Sequence, residues 1–167
     1  MKSLDVITKL RELQKFKEWK EKNKESNLVH LFIMIEPGKD IKYDIGFFDL
    51  KKSLMTSFLV DDTVKDAEVT ETKEIFTQDN QKITPLELEK VKIGFEEAFE
   101  TSRTLQKEKY RQHEPLKKIV ILQNLPDGQV WNITYITQTF QTLNMKIDAE
   151  TGLVVEDSLH QIISFDK

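Results

Sequence analysis

The chain has 167 residues, of which 38% are hydrophobic and 32% are charged. Its 29 acidic and 25 basic residues give a net charge of −4, which argues against a uniformly basic nucleic-acid-binding protein. The absence of cysteine excludes a disulfide framework, a cysteine nucleophile and a thiolate metal site.

The sequence shows no sign of membrane targeting. Its first residues lead into a Lys- and Glu-rich amphipathic stretch without the apolar region or cleavage site of a signal peptide. The longest apolar run, Leu31 to Ile35, has five residues, whereas a membrane-spanning helix needs about 20. We therefore expect no membrane span and, unless a leader precedes this sequence, a cytoplasmic location.

Two segments have helical spacing. The first runs from Ser3 to about Lys24, with apolar residues at every third position from Ile7 to Trp19. Because this spacing is shorter than the helical repeat, the contact face should rotate around the helix or the end should fray. The second segment opens with Thr84-Pro85-Leu86-Glu87, a capping box with proline at the first helical position, and predicts one long helix to about Arg111.

After each helix, the period changes to that of strands. Short runs of β-forming residues end at turn signals such as Glu36-Pro37-Gly38-Lys39 and Pro126-Asp127-Gly128. Four strands are predicted in each half of the chain, at about residues 28–35, 43–47, 53–60, 68–76, 116–122, 131–135, 139–148 and 153–164. Aromatic residues on these strands, including Tyr43 and Trp131, favour a core position opposite a helix.

The order of one helix and four strands thus occurs twice, and an offset of 88 residues superposes the strands in phase, with Leu28 on Leu116. We predict an α+β protein of two tandem, closely packed units, residues 1–80 and 81–167, each with one long helix followed by a four-stranded antiparallel meander. A single α+β domain is the alternative. The two meanders could pack face to face or form one continuous sheet, and the composition does not choose between them.

The second half resembles a known family. Its Trp131-Asn132-Ile133-Thr134-Tyr135 strand is followed by Met145-Lys146-Ile147-Asp148-Ala149-Glu150-Thr151-Gly152-Leu153-Val154. This pattern is similar to the closing hairpin of the PepSY domain, in which Asp-Ala-x-Thr-Gly is the specific part. Asp148 and Thr151 can cap backbone amides and Gly152 can supply a positive φ, so the motif is interpreted as a structural turn.

The PepSY resemblance covers about residues 84–165 and implies a cystatin-like fold, in which a curved antiparallel sheet wraps on a helix. It also implies a domain that binds or inhibits peptidases, although no peptidase domain accompanies it here. In the first half, the equivalent Val60-Asp61-Asp62-Thr63-Val64 lacks the glycine, so that turn is expected to differ.

The sequence offers little catalytic chemistry. His30, His113 and His160 are scattered without metal-ligand spacing, and no phosphate-binding or nucleophile motif occurs. The acidic stretch from Asp61 to Glu68 lacks the spacing of a calcium loop. Basic clusters are interleaved with glutamate, which weakens any field that a nucleic acid would feel. We therefore expect no enzyme activity, no cofactor, no metal site and no nucleic-acid partner.

A non-catalytic binding module is the leading functional hypothesis, acting on a protein partner through a sheet face or edge, with a regulatory or inhibitory role and homodimerisation both open. The candidate partner-binding face carries Thr134, Ile136, Gln138, Phe140 and Thr142. The alternative is a small-molecule or lipid carrier with a cavity between helix and sheet, lined by Phe95, Phe99 and the strand aromatics.

Overall fold

The computed structural model describes residues 3–73 and 83–162 of the chain. Helices α1 (Asp5–Glu12) and α2 (Gln14–Lys22) come first, and four strands follow: β1 (Asn27–Ile35), β2 (Lys42–Asp49), β3 (Leu54–Val60) and β4 (Glu68–Lys73). A 3-10 turn (Leu88–Lys90) and helix α3 (Phe95–Lys109) then precede the other four strands: β5 (Pro115–Leu125), β6 (Gly128–Thr137), β7 (Gln141–Asp148) and β8 (Val154–Gln161).

All eight strands form one antiparallel sheet in the order β4-β3-β2-β1-β5-β6-β7-β8. The prediction of two tandem cystatin-like units, each with a single long helix and its own meander, is therefore wrong. The two meanders join through β1 and β5, which pair from His30 with Gln123 to Ile35 with Lys118. The predicted division at residue 80 lies outside the described residues.

The core lies on one face of this sheet, beneath the helices. Residues from α1, α2 and α3 share a single buried cluster with alternate residues of the strands, including Leu31, Ile45, Val120 and Ile133. Because side chains alternate between the two faces of a strand, these positions define the covered face. The aromatic residues Tyr43, Phe47, Trp131 and Tyr135 also belong to this core cluster.

The predicted first helix is in fact two helices. Leu13 has extended backbone angles (φ −66°, ψ 134°) between α1 and α2. Val6, Ile7 and Leu10 of α1 are buried, as is Phe16 of α2. A straight helix with apolar residues at every third position would turn its stripe away from the sheet, and the break at Leu13 lets both helices contact it.

The predicted helix start at Thr84 is also wrong, because α3 begins eleven residues later, at Phe95. Thr84 forms an isolated bridge with Asn124 of β5. The backbone amides that follow donate to distant acceptors: Leu86 to the carbonyl of Leu28, and Ile93 to the carbonyl of Ala149. These tertiary hydrogen bonds hold the segment before α3 against the sheet, in place of the α-helical turns that the capping box predicts.

The strand predictions are confirmed wherever the structure describes them. Each of the eight predicted strands coincides with an observed one, with ends that differ by a few residues. The predicted ends at residues 74–76 and 163–164 lie outside the described residues. Alternation of apolar and polar residues was the correct signal for strands such as β6 and β7, whose open-face side chains are largely polar, whereas β1 and β5 are apolar on both faces.

Candidate binding surface

The face of the sheet opposite the helices, here called the open face, has no helix over it among the described residues. Its centre is apolar, since Phe32 and Met34 of β1 pair with Ile121 and Ile119 of β5. All four side chains are half-buried and lie outside the core cluster. Neighbouring side chains on the sheet therefore shield this apolar band partly from solvent, although no second layer of structure covers it among the described residues.

Polar side chains flank the apolar band on the side of β6 and β7. Asn144 donates its amide hydrogens to Asn132 Oδ1 (2.6 Å) and Thr134 Oγ1 (2.9 Å) across the two strands. Further out, Lys146 Nζ lies 2.9 Å from Glu156 Oε2. These cross-strand pairs satisfy polar groups on an otherwise uncovered surface and fix the side chains in one arrangement.

On the other side of the band, His30 and Asp44 form a second polar pair. Nε2 of His30 lies 3.3 Å from Oδ1 of Asp44, and both side chains are partly exposed. His30 lies opposite Gly46 of β2. His30 is therefore a strand-face residue, as the sequence predicted.

The structure separates the five candidate partner-binding residues into two groups. Thr134, Ile136 and Thr142 lie on the open face, where Ile136 pairs with Thr142 across β6 and β7. Gln138 and Phe140 lie in the turn between these strands, and Phe140 has a positive φ of 57°. The Phe140 side chain is 71% exposed, which is the largest exposed fraction of any large hydrophobic residue described.

The two edges of the sheet differ in chemistry. All six residues of β4 are exposed, and the strand carries Glu68, Glu71 and Lys73 with a single exposed large hydrophobic residue, Val69. Charged side chains of this kind discourage pairing with a further strand.

The opposite edge, β8, is apolar at its two ends and carries Glu156, Asp157 and His160 between them. Five exposed hydrophobic residues lie on β8 or at its two ends, and we call them the β8 margin: Phe140, Leu153, Val154, Val155 and Ile162. The turn and the end of β8 are joined, because the backbone amide of Ile162 donates to the carbonyl of Phe140 (3.1 Å). The sequence suggested an open edge, but only the strand order shows that β8 is the outermost strand.

Helix α3 holds β8 against the sheet at one point. Asp157 of β8 accepts a hydrogen bond from the hydroxyl of Tyr110 and one from Lys109 Nζ (2.7 Å). The Lys109 ammonium and then the Tyr110 hydroxyl lower the pKa of Asp157. The inner side of β8 is thereby anchored, while its outer edge has no partner strand among the described residues.

The structural turn motif lies between β7 and β8. Oδ1 of Asp148 accepts the backbone amides of Glu150 and Thr151, both at 2.8 Å, and the pKa of Asp148 is lowered mainly by the Thr151 amide. Gly152 has a φ of +77°. In the first half, Asp61 accepts the amides of Thr63 and Val64. The positive φ there belongs to Val64, three residues after the capping aspartate, whereas Gly152 lies four residues after Asp148.

The remaining candidate residues are not brought together. His113 contacts Thr139 and His160 contacts Ser158, far from His30 in the sheet. In the acidic stretch, Asp66 forms an ion pair with Lys15 (2.7 Å). Within residues 3–73 and 83–162, no group of three His, Asp or Glu side chains is close enough to hold a metal ion.

The residues proposed to line a carrier cavity contact one another. Phe95 and Phe99 of α3 stack at 5.2 Å between ring centroids, Phe95 contacts Trp131, and Phe99 contacts Tyr135. The indole nitrogen of Trp131 donates to the carbonyl of Ile93 (2.8 Å). The four rings therefore pack against one another, and the polar indole N–H of Trp131 is hydrogen-bonded.

The class that the fold defines is an α+β protein with one eight-stranded antiparallel sheet covered by helices on one face. No protein-family model matches the chain, and no curated protein matches it. It is similar to the crystal structure of a "putative lipoprotein" from Clostridium difficile 630, with a TM-score of 0.60, 17% sequence identity and coverage of 87% of this chain and 90% of that chain. At this level of identity, the similarity shows the fold alone.

None of the helices in the described part of the chain is both long and apolar enough to cross a membrane.

Proposed function

We propose that the protein is a non-catalytic binding module that takes up an extended segment of a partner protein along the β8 margin. The observation that carries this proposal is a difference between the two edges of the sheet: β4 exposes one large hydrophobic residue, Val69, whereas Leu153 (67%) and Val155 (55%) are exposed at the start of β8. A strand edge supplies unpaired backbone donors and acceptors, and apolar side chains beside it supply affinity.

The neighbouring open face extends the same surface. Thr142 of β7 pairs with His160 of β8, and Ile136 lies one strand further in. A partner strand added beside β8 would place its side chains next to this part of the open face, since side chains alternate across a sheet. A second copy of this chain is one such partner, with two β8 strands side by side.

The test compares one substitution at each edge. Val155→Lys introduces a charge at the apolar start of β8, and Val69→Lys makes the same change on β4, where Val69 is 42% exposed. Circular dichroism and a thermal melt establish that both variants fold. Proteins captured by the wild-type chain are then identified by quantitative mass spectrometry, purified and titrated directly against all three chains.

We expect the partner's affinity to fall at least tenfold with Val155→Lys and to stay unchanged with Val69→Lys. Hydrogen exchange should slow at the β8 amides when the partner is bound. If the partner is a second copy, sedimentation velocity should show a wild-type dimer that Val155→Lys dissociates. Equal binding by all three folded chains would overturn the proposal.

The cytoplasmic location, the lack of catalysis and the PepSY likeness are parts of the same proposal. The PepSY likeness rests on residues 131–154 of the second half. Antibody detection of the native protein in soluble and membrane fractions tests the location, and recovery in the membrane fraction would contradict it. Inhibition assays of purified peptidases with the wild-type and Val155→Lys chains test the inhibitory role.

A further inference from the structure

A groove of about 790 Å³ lies between the two N-terminal helices and the start of β1, far along the sheet from β8. Phe16 of α2, Leu28 of β1 and Phe47 of β2 line it. These three residues belong to the buried core, so the groove reaches the core surface at this end of the molecule. Its volume lies within the range of small-molecule binding sites, about 300–1,000 Å³.

The rim of the groove is cationic. Four basic residues and one acidic residue line it, which gives a local charge of +3 in a chain whose net charge is −4: Arg11, Lys17, Lys20, Lys24 and Glu21. The aliphatic stems of lysine and arginine also cover apolar surface while their charged ends stay in water. The groove therefore combines apolar walls with a positive mouth.

Lys20 is held in place by the backbone. Its ammonium donates to the carbonyls of Ser26 (2.5 Å), Lys24 (3.2 Å) and Asn23 (3.5 Å), which form the turn from α2 to β1. Burial lowers the pKa of Lys20, and the nearby positive charge of Arg11 lowers it further, while Glu25 opposes the shift. An anion in the groove would relieve the repulsion between Lys20 and Arg11.

The other three cations are available to a ligand. Arg11, Lys17 and Lys24 are exposed, and within the described residues none of their side chains forms an ion pair or donates a hydrogen bond. A carboxylate or phosphate at the mouth could accept several charge-assisted hydrogen bonds from them. Lys20, whose three donors already bind carbonyls, contributes only its charge.

We infer that this groove binds a single-chain amphiphile with an anionic head group, with the hydrocarbon against Phe16, Leu28 and Phe47 and the head group at Arg11, Lys17 and Lys24. The positive rim favours an anionic head group, and the apolar floor favours a hydrocarbon tail. This site is separate from the β8 margin in position and in ligand class. It also differs from the carrier cavity expected near Phe95 and Phe99.

The experiment uses the full chain labelled with ¹⁵N and titrated with laurate below its micellar concentration. The chain has two tryptophans, and their indole signals report on different places. Trp19 contacts Phe16 and Phe47, with ring centroids 5.5 Å and 5.4 Å apart. Trp131 is buried under α3 and serves as an internal reference.

We expect laurate to shift the Trp19 indole signal to saturation at one ligand per chain and to leave the Trp131 signal in place. Octanoate should bind more than tenfold more weakly than laurate, because each buried methylene contributes a factor of up to about four. Dodecyl phosphate should bind as laurate does. Acetate and neutral dodecyl maltoside should each produce no saturable shift.

A matched pair of variants tests the rim. Arg11→Gln with Lys24→Gln removes two charges at the groove, while Arg111→Gln with Lys107→Gln removes two exposed charges at the end of α3. The first variant should weaken laurate binding at least tenfold, and the second should leave it unchanged. Equal weakening in both variants, equal binding of dodecyl maltoside, or equal shifts of both tryptophans would overturn the inference.

Discussion

The imidazole of His30 occupies the space above Gly46 where a side chain would otherwise lie. A Cβ added to Gly46 would come within 2.2–2.6 Å of three atoms of that ring. The two residues face each other across β1 and β2, and the same ring contacts Asp44. Glycine at this position therefore permits the His30–Asp44 pair on the open face.

Substitution of Gly46 should consequently act through His30. Gly46→Ala forces the imidazole away from its site and separates it from Asp44, so we expect the free energy of unfolding to fall by about 1 kcal/mol. In a His30→Ala background, the same substitution meets no ring and should be neutral or stabilising by about 0.5–1 kcal/mol. Urea unfolding of the four chains measures this coupling, and the same loss in both backgrounds would contradict it.

The turn at Asp148 should make stability depend on pH. The folded pKa of Asp148 is lowered, chiefly by the Thr151 amide, so its contribution is present above the unfolded pKa of about 3.9 and is lost as the pH falls through the folded value. Asp148→Asn should cost about 1 kcal/mol or less at pH 7, because the carboxylate is partly exposed and screened by water.

That cost should shrink as the pH falls below about 4, where the wild-type carboxyl becomes neutral as well. Urea unfolding at pH 7, 5 and 3 measures the difference between the two chains. Asp127→Asn, at an exposed position in the turn between β5 and β6, is the matched control and should change stability little at any pH. A pH-independent loss for Asp148→Asn would show that the charge is not the cause.

Beneath α3, Ser102 and Tyr135 form a buried hydrogen bond whose two partners should not be equivalent. Ser102 Oγ donates to the carbonyl of Phe99 (2.6 Å), so the Tyr135 hydroxyl donates to Ser102 Oγ (2.6 Å). Ser102→Ala leaves the buried phenol hydroxyl without its acceptor and should cost about 1–3 kcal/mol. Tyr135→Phe leaves Ser102 bonded to Phe99 and should cost about 1 kcal/mol.

The double variant should therefore be no less stable than Ser102→Ala alone, because it removes the unsatisfied hydroxyl as well. Thermal and urea unfolding of the three variants measures this order. A double variant whose loss equals the sum of the two single losses would show that the two groups act independently.

Substitutions at two glycines can distinguish the cost of backbone strain from the cost of a side-chain contact. Gly38 and Gly152 have nearly the same positive φ, +75° and +77°, but an added Cβ meets open space at Gly38 and lies 3.3 Å from Ile93 Cδ1 at Gly152. Gly38→Ala should cost about 1 kcal/mol through backbone strain. Gly152→Ala should cost more, because Ile93 must also move.

Gly94, with a φ of −77° at the start of α3, provides the control for these glycines. Gly94→Ala introduces no left-handed strain and should change the melting temperature least of the three. If Gly38→Ala and Gly152→Ala lower the free energy of unfolding equally, the contact with Ile93 makes no contribution.

Local sequence patterns predicted the strands well and the helices poorly. Period-two alternation depends only on the fact that one face of a strand is buried, and that condition holds for β6 and β7 whatever strand lies next to them. The capping box at Thr84 is a local signal of the same kind. The backbone from Thr84 to Ile93 instead forms tertiary contacts with Asn124, Leu28 and Ala149. Those partners are distant in sequence, so no local pattern could reveal them.

The candidate sites show the same division. The sequence singled out Phe140 and Thr142 as surface residues, but their proximity to Ile162 and His160 depends on the pairing of β7 with β8. The groove was missed because Arg11 and Lys24 lie in charged helical stretches that resemble a solvated surface. Only the break at Leu13 and the packing of α2 on β2 place these charges around one opening.

The sequence by itself determined that this is an α+β chain with eight strands, no cysteine chemistry and an excess of acidic charge, because composition and periodicity are local properties. The tertiary structure alone decided that both meanders belong to one sheet. That outcome rests on the pairing of β1 with β5, where Leu31 meets Leu122 and Ile33 meets Val120. Apolar strands of this kind can pair edge to edge or stack face to face, and the choice depends on packing between residues far apart in the chain.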